Sequence, residues 1–177
     1  MKKTPINLSD DGLDFRSPDT EDGAAIHSLI ENCDPLDLNS IYSYLILCQH
    51  FPETSVTVED EDGDVVGFVS GYIKPGHPDV WFVWQVAVGP KARGKGVAKR
   101  MLKEILRRPA CENVRFLETT ITPNNKASWA LFTSFAEEIG AETEDRVLFQ
   151  GSHFGEEDHE EEHLLRIGPF HPKWITD

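Results

Sequence analysis

The chain has 177 residues, with 31 Asp and Glu against 17 Lys and Arg, for a formal net charge of -14. That length allows one domain whose core needs neither disulfides nor metal, and the acidic balance argues against a duplex nucleic-acid binder, which needs a basic face for the phosphates. No run approaches a membrane span, polar residues rather than an apolar signal segment follow Met1-Lys2-Lys3, and Cys33, Cys48 and Cys111 have no metal spacing, so the expectation is a cytoplasmic protein with reduced, mostly buried thiols, no membrane association and no metal.

Residues 1–12 are polar and read as a flexible tail, followed by one domain over 13–170 and a second tail over 171–177. Leu13 to Arg16 alternates as a short strand. Ser17-Pro18 signals a helix start, and Ile26, Leu29, Ile30 and Cys33 fall at i, i+3, i+4 and i+7, the stripe of an amphipathic helix broken at Asp34-Pro35. Asn39 or Ser40 can cap a second helix from Ile41 to Phe51. Its apolar residues run nearly all the way round, so it is buried, or lines a pocket or a partner surface. Thr54 to Glu59 and Val65 to Ile73 read as strands joined by an acidic turn at Asp62-Gly63. Val80 to Val88 is apolar on both faces, Val80, Phe82, Trp84, Val86 and Val88 on one and Trp81, Val83 and Ala87 on the other, as in the middle of a covered sheet.

Gly89-Pro90 stops that strand, and a loop with Arg93, Gly94, Lys95 and Gly96 leads into a helix with Val97, Met101 and Ile105 as its apolar positions. Unpaired N–H groups at a helix start favour an anion, and glycines let it approach closely. A phosphate or pyrophosphate is the expected ligand. Gly96 is followed by Val97, which excludes the Gly-Lys-Ser/Thr ending of a P-loop, and no third glycine stands near Lys99 for a dinucleotide fingerprint. Eight of the 17 basic residues lie between Lys91 and Arg108, an island that suits one polyphosphate ligand or forms a solvated helix face.

Val114 to Thr122 is a further strand. Pro123 to Lys126 starts a helix carrying Ala127, Leu131 and Phe135 that ends near Gly140; Arg146 to Gln150 is a strand, Gly155 to His163 an acidic loop, and Leu164 to Ile167 a last short strand. The fold class is α/β (α+β), with a mixed sheet and flanking helices.

Arg93-x-x-Gly96-x-Ala98, with the strand and helix around it, resembles the acetyl-coenzyme A loop of the GNAT superfamily of N-acetyltransferases. The resemblance implies a mostly antiparallel mixed sheet splayed at its central strands, with the thioester in the opening. It sets Val86, Val88, Arg93, Gly94, Lys95, Gly96, Val97, Ala98, Asn125 and Ser128 against acetyl-coenzyme A. Asn125 by residue preference alone is equally a helix cap. Phe132 stands where many members carry a tyrosine acid. Four segments, 34–42, 82–88, 117–125 and 159–167, taken together resemble the L-2,4-diaminobutyrate acetyltransferases of ectoine biosynthesis. That closer resemblance implies a diamine or amino-acid substrate, osmotic-stress physiology and a homodimer.

The chemistry requires a neutral amine, a stabilised oxyanion and a thiolate that can leave. A free alkylamine, with a pKa near the lysine value of ~10.4, arrives charged, so the site must accept a cation and take a proton from it. Glu118, a carboxylate in an apolar strand beside Thr119, is either that base or half of a structural ion pair. The Val86 N–H is the candidate oxyanion donor on the family analogy. Tyr42, Trp81 and Trp84 are either walls around an ammonium or plain core. Asp37 can hold the α-ammonium or cap a turn. Among the histidines of the acidic loop, the resemblance points to His159 as a substrate or proton-relay residue. The other readings are a polyamine or other small-amine acetyltransferase, a protein N-terminal acetyltransferase, and an acetyl-coenzyme A binding module without catalysis.

Overall fold

The computed structural model describes residues 11–34, 36–156 and 158–175. The strands are β1 (Asp14–Arg16), β2 (Val56–Glu59), β3 (Val65–Ile73), β4 (Val80–Val88), β5 (Phe116–Ile121), β6 (Thr143–Phe149) and β7 (Glu162–Ile167), and the helices α1 (Gly23–Glu31), α2 (Ile41–His50), α3 (Val97–Leu106) and α4 (Lys126–Ile139). Among the described residues the strands form one sheet in the order β1-β2-β3-β4-β5-β7-β6. Neighbours run antiparallel except β4 and β5, which are parallel. The last two strands begin earlier than the sequence reading expects, β6 at Thr143 and β7 at Glu162, so the acidic loop gives up its final residues to the sheet.

Helices cover both faces. α1 buries Ile26, Leu29 and Ile30, with Cys33 just beyond it, against Phe68 and Ala87 on one face, together with Tyr44 and Leu47 of α2. α3 and α4 bury Met101, Ile105 and Phe135 against Val69, Trp81, Val83 and Leu117 on the other. α3 has a clean stripe, Val97, Met101, Leu102, Ile105 and Leu106, the pattern that drives a helix onto a sheet. α4 starts where Asn125 Oδ1 accepts from the Ser128 N–H at 3.1 Å and ends at Gly140. α2 is less buried than its composition suggests: Ile41 and Tyr42 are exposed, at 45% and 70%, whereas Tyr44, Leu47 and Cys48 are buried.

β4 does not keep one alternation. Ser70 pairs with Gln85 but Gly71 with Val83, which leaves Trp84 as an extra residue, a β-bulge. Before it, Trp81 and Val83 face α3 and α4; after it, Val86 and Val88 take that face, and Gln85 and Ala87 turn to the other. The two-face division expected from strict alternation therefore fails at Trp84. Gly71 is required beside the bulge, because a Cβ there would stand 2.4 Å from the Trp81 indole nitrogen.

Packing continues beyond residue 170, where the domain was expected to end. Ile175 is buried in the core, and its carbonyl accepts from Arg107 Nε at 3.3 Å. At the other end the expected tail falls outside the described residues for 1–10, while Asp11 pairs with Arg100 and Leu13 is buried.

Candidate functional site

β4 and β5 pair only from Val80 and Phe116 to Val83 and Thr119. Above that rung the parallel strands separate, since β4 is bent by the bulge and runs on to Val88 while β5 ends at Ile121. The opening is a cleft of about 460 Å³. Its walls are Val83, Trp84, Gln85 and Val86 from β4, Thr119 to Thr122 from β5 and its end, and Asn125, Ser128 and Phe132 from α4. Leu36, Asp37 and Asn39 from the α1–α2 connection and His159, Glu160 and Glu162 from the entry to β7 close the rim.

The rim is acidic. His159 stacks on Phe154, with centroids 3.8 Å apart, and its Nδ1 lies 2.6 Å from the Glu160 carbonyl oxygen. Its Nε2 lies 3.9 Å from Glu162 Oε1. Burial pushes the Glu162 carboxyl above the ordinary carboxylate range; His159 and a hydrogen bond with Thr120 oppose this, and the negative charges of Asp37 and Glu160 add to it. Asn124 Nδ2 donates to Glu160 Oε1 and ties the start of α4 to this rim. Trp84, 46% exposed, offers an aromatic face in the same cleft.

The glycine loop lies at the far end of β4. Gly94 and Gly96 have φ of 77° and 71°, and a Cβ at either meets nothing within 4 Å. The left-handed backbone calls for glycine at both positions, and the open space beside them leaves a clear approach to the start of α3. Gly96 is the N-cap and carries no side-chain cap, so the N–H groups of the first turn remain for a ligand. This loop fits a pyrophosphate. Arg93 Nε donates to the Val88 carbonyl at 3.0 Å, which braces the loop against β4.

A family model described as the acetyltransferase (GNAT) family matches residues 24–136. The L-2,4-diaminobutyric acid acetyltransferase of Chromohalobacter salexigens is 48% identical over 172 residues, 97% of this chain and 89% of the relative. That of Bordetella parapertussis is 51% identical over 159 residues, 89% of this chain and 86% of the relative. The chain belongs to the GNAT acetyltransferases, and within them to the L-2,4-diaminobutyric acid acetyltransferase family. Among solved structures, diaminobutyrate acetyltransferase EctA from Paenibacillus lautus, in complex with its substrate L-2,4-diaminobutyric acid and coenzyme A, aligns with a TM-score of 0.85 at 40% identity over 93% of this chain and 97% of that one.

Within this GNAT cleft stand Asp37, Trp84, Val86, Thr119, Asn125, Ser128 and His159. Val88 ends β4, Arg93, Gly94, Lys95 and Gly96 lie in the adjoining loop, and Val97 and Ala98 open α3. Three residues expected at the substrate lie elsewhere. Trp81 is 0% exposed, and its Nε1 donates to the Thr54 carbonyl at 3.2 Å, so it is core. Tyr42 lies outside the cleft lining, exposed on α2. Glu118, 2% exposed, is held by Lys74 Nζ at 2.7 Å and by Arg166. Burial alone would raise its pKa, but the hydrogen bonds from these two cations outweigh that and hold it below the ordinary value. Glu118 belongs to a depression with Glu144, Arg146 and Arg166 rather than to the cleft.

The basic island also divides. Lys99 and Lys103 reach Glu138 at 2.8 and 2.6 Å, Arg100 pairs with Asp11, and Arg108 donates to the carbonyls of Pro52 and Ser55. Lys91 turns to Asp64 at 3.0 Å. Arg93 and Lys95 remain at the crest of the loop. Most of the island therefore fastens α3 to acidic and carbonyl neighbours instead of waiting for a polyphosphate.

Gln85, Glu160 and Glu162 are cleft residues that the sequence reading missed. A glutamine inside an apolar strand was a usable signal, because a buried amide needs a partner. Glu162 had no such signal, being one acidic residue in a run of them.

All three cysteines are buried, and none lines the cleft. Burial pushes the Cys48 and Cys111 thiols up to about 12, which removes them as nucleophiles. Among the described residues no group of His, Cys, Asp or Glu is arranged to hold a metal ion, and no helix is long and apolar enough to cross a membrane.

Proposed function

We propose that this chain transfers the acetyl group of acetyl-coenzyme A to the 4-amino group of L-2,4-diaminobutyrate, giving N4-acetyl-L-2,4-diaminobutyrate for ectoine biosynthesis. The observation that carries the reading is the cleft itself: a fissure between parallel strands with a glycine loop beyond one strand end and an acidic, aromatic rim at its mouth. The rim suits a small cation. Asp37 holds the α-ammonium, Trp84 walls the diamine, and the carboxylates raise the local concentration of a positive substrate.

Glu162 takes the first proton from the ammonium. A carboxylate whose pKa is raised by burial is a better acceptor than one pinned between cations, which favours Glu162 over Glu118. His159 beside it orients the carboxylate. The neutral nitrogen then attacks the thioester carbon, and the Val86 N–H steadies the oxygen as it gains charge. A C–N bond forms and the C–S bond breaks. The attacking nitrogen still bears the proton that the leaving sulfur needs, so an apolar Phe132 is compatible with turnover. Attack is direct, and none of the three buried cysteines lines the cleft to offer a thiol in its place.

The same reading makes the protein a cytoplasmic homodimer. Leu38, Ile41 and Tyr42, exposed together at 45%, 45% and 70%, support a contact surface, and three unpaired cysteines suit a reducing compartment.

Free-thiol release from acetyl-coenzyme A tests the activity. L-2,4-diaminobutyrate should drive release with kcat/KM about 10²-fold above that of putrescine or spermidine. Release with polyamines alone, or none with any amine, overturns the assignment.

A further inference from the structure

Gln85 is the first residue after the bulge and is buried, at 7% exposure, although it lines the cleft. Its Nε2 donates to the carbonyl oxygen of Asp37 at 2.7 Å, forty-eight residues away along the chain. Its Oε1 is buried and accepts no hydrogen bond from the described residues. A buried carbonyl oxygen without a donor costs stability, so a plain core position would be better served by an apolar side chain. The amide is held in this orientation because turning it over would set Oε1 against the Asp37 carbonyl, oxygen to oxygen.

Asp37 lies in the connection from α1 to α2, outside any helix or strand. Such a segment has no hydrogen-bond ladder and takes its place from ties to the body. Here there are ties on either side of Leu38: Gln85 on the Asp37 carbonyl, and the Tyr44 hydroxyl, which accepts from the Asn39 N–H at 3.2 Å. Tyr44 is fully buried in the α1–α2 core. Gln85 is the tie that comes from the cleft wall itself.

We propose that Gln85 is a positioning residue: it fastens the α1–α2 connection to β4 so that the Asp37 carboxylate faces the substrate's ammonium at a fixed distance from the site of acetyl transfer. The bulge is what makes this possible, because if Trp84 took a regular place in the ladder Gln85 would face α3. The inference rests on the reading of Asp37 as the residue that holds the cation.

Steady-state kinetics of the wild type, D37N, Q85M and D37N/Q85M, with both substrates varied and thermal unfolding followed alongside, test it. Q85M should raise the KM for L-2,4-diaminobutyrate about tenfold, the equivalent of one lost hydrogen bond, with a smaller change in kcat. The KM for acetyl-coenzyme A should stay within about twofold. The Tm should change little, because methionine gives up the hydrogen bond to the Asp37 carbonyl but also removes an oxygen that accepts none from the described residues, so poor folding would not explain the loss. Q85E, which sets a carboxylate against the Asp37 carbonyl, should raise the diamine KM further. The double variant should be no worse than D37N alone, because both changes disable one element. A raised KM in D37N with none in Q85M overturns the positioning role and leaves Asp37 standing. Unchanged KM in both overturns the Asp37 reading and the inference with it. Additive rises mean that Gln85 acts by another route and also overturn the proposal.

Discussion

Glu118 and Glu162 stand on neighbouring strands and share a face of the sheet, as the pairing of Glu118 with Arg166 and the alternation along β7 require. Their surroundings are opposite. Glu118 lies on the closed half of β5, between Lys74 and Arg166, with its proton affinity lowered. Glu162 lies at the open half, with His159 3.9 Å away and its proton affinity raised by burial. A carboxylate already matched by two cations holds strands together and makes a poor proton acceptor. One left without such a match keeps its affinity for a proton. The glycine loop repeats the contrast in cations: Lys91 is matched by Asp64, whereas Arg93 and Lys95 stand over the loop.

The largest expected effect breaks or upholds that comparison directly. Glu162→Gln should lower kcat at neutral pH by about 10²–10⁴-fold and leave acetyl-coenzyme A affinity unchanged. In the wild type the acid limb of kcat against pH should lie above the ordinary carboxylate range, and in the variant it should vanish. Wild-type kcat in Glu162→Gln at saturating diamine would return the role of base to His159 or solvent.

Glu118→Gln should act on stability instead. Removing the charge leaves Lys74 and Arg166 facing an amide, and for a pair whose cations are about a third exposed the cost should be about 1–3 kcal/mol, read by urea unfolding. The sign follows from the lowered pKa. The carboxylate's contribution is present above the unfolded value of about 4.3 and is lost as pH falls through the folded value. The stability gap between wild type and variant should therefore close in acid. A gap that persists there means shape rather than charge is responsible, and a collapse of kcat at full stability would move Glu118 into the catalytic site.

The smallest effect sharpens the cation half. Arg93→Gln with Lys95→Gln should weaken acetyl-coenzyme A binding about three- to tenfold and flatten its salt dependence, while Lys91→Gln should change the salt slope less. Calorimetric titration at low and high ionic strength decides it. Equal slopes for all three proteins would mean that the loop cations do not face the coenzyme.

What was legible in the sequence was local. The α1 and α3 stripes, the glycine loop and the Asn125 cap each depend on residues within a turn or two, and spacing suffices to find them. What was hidden depends on partners far along the chain. For Glu118 the sequence left base and ion pair both open, because the partners that decide it, Lys74 and Arg166, lie forty-four and forty-eight residues away. Alternation sets Trp81 and Trp84 on opposite faces of β4, yet which of them fills the core and which lines the cleft depends on the elements packed against each face, and the bulge at Trp84, which shifts the residues after it, is invisible to alternation. The basic island misled in the same way, since Glu138, Asp11 and Asp64 come to it only through the fold.

The bulge at Trp84 is one residue that the β3–β4 ladder does not need. Gln85 stands opposite Ser70 and Val83 opposite Gly71, so the residues on either side of Trp84 already pair with neighbours on β3. Exchanging the side chain at 84 leaves the bulge in place. Deleting the residue would join the two halves into an uninterrupted ladder in which Gln85, Val86 and every other side chain keep their sides. What would go is the local bend and the indole in the cleft wall. A one-residue gap at this point would therefore cost the shape of the opening and not the sheet beside it.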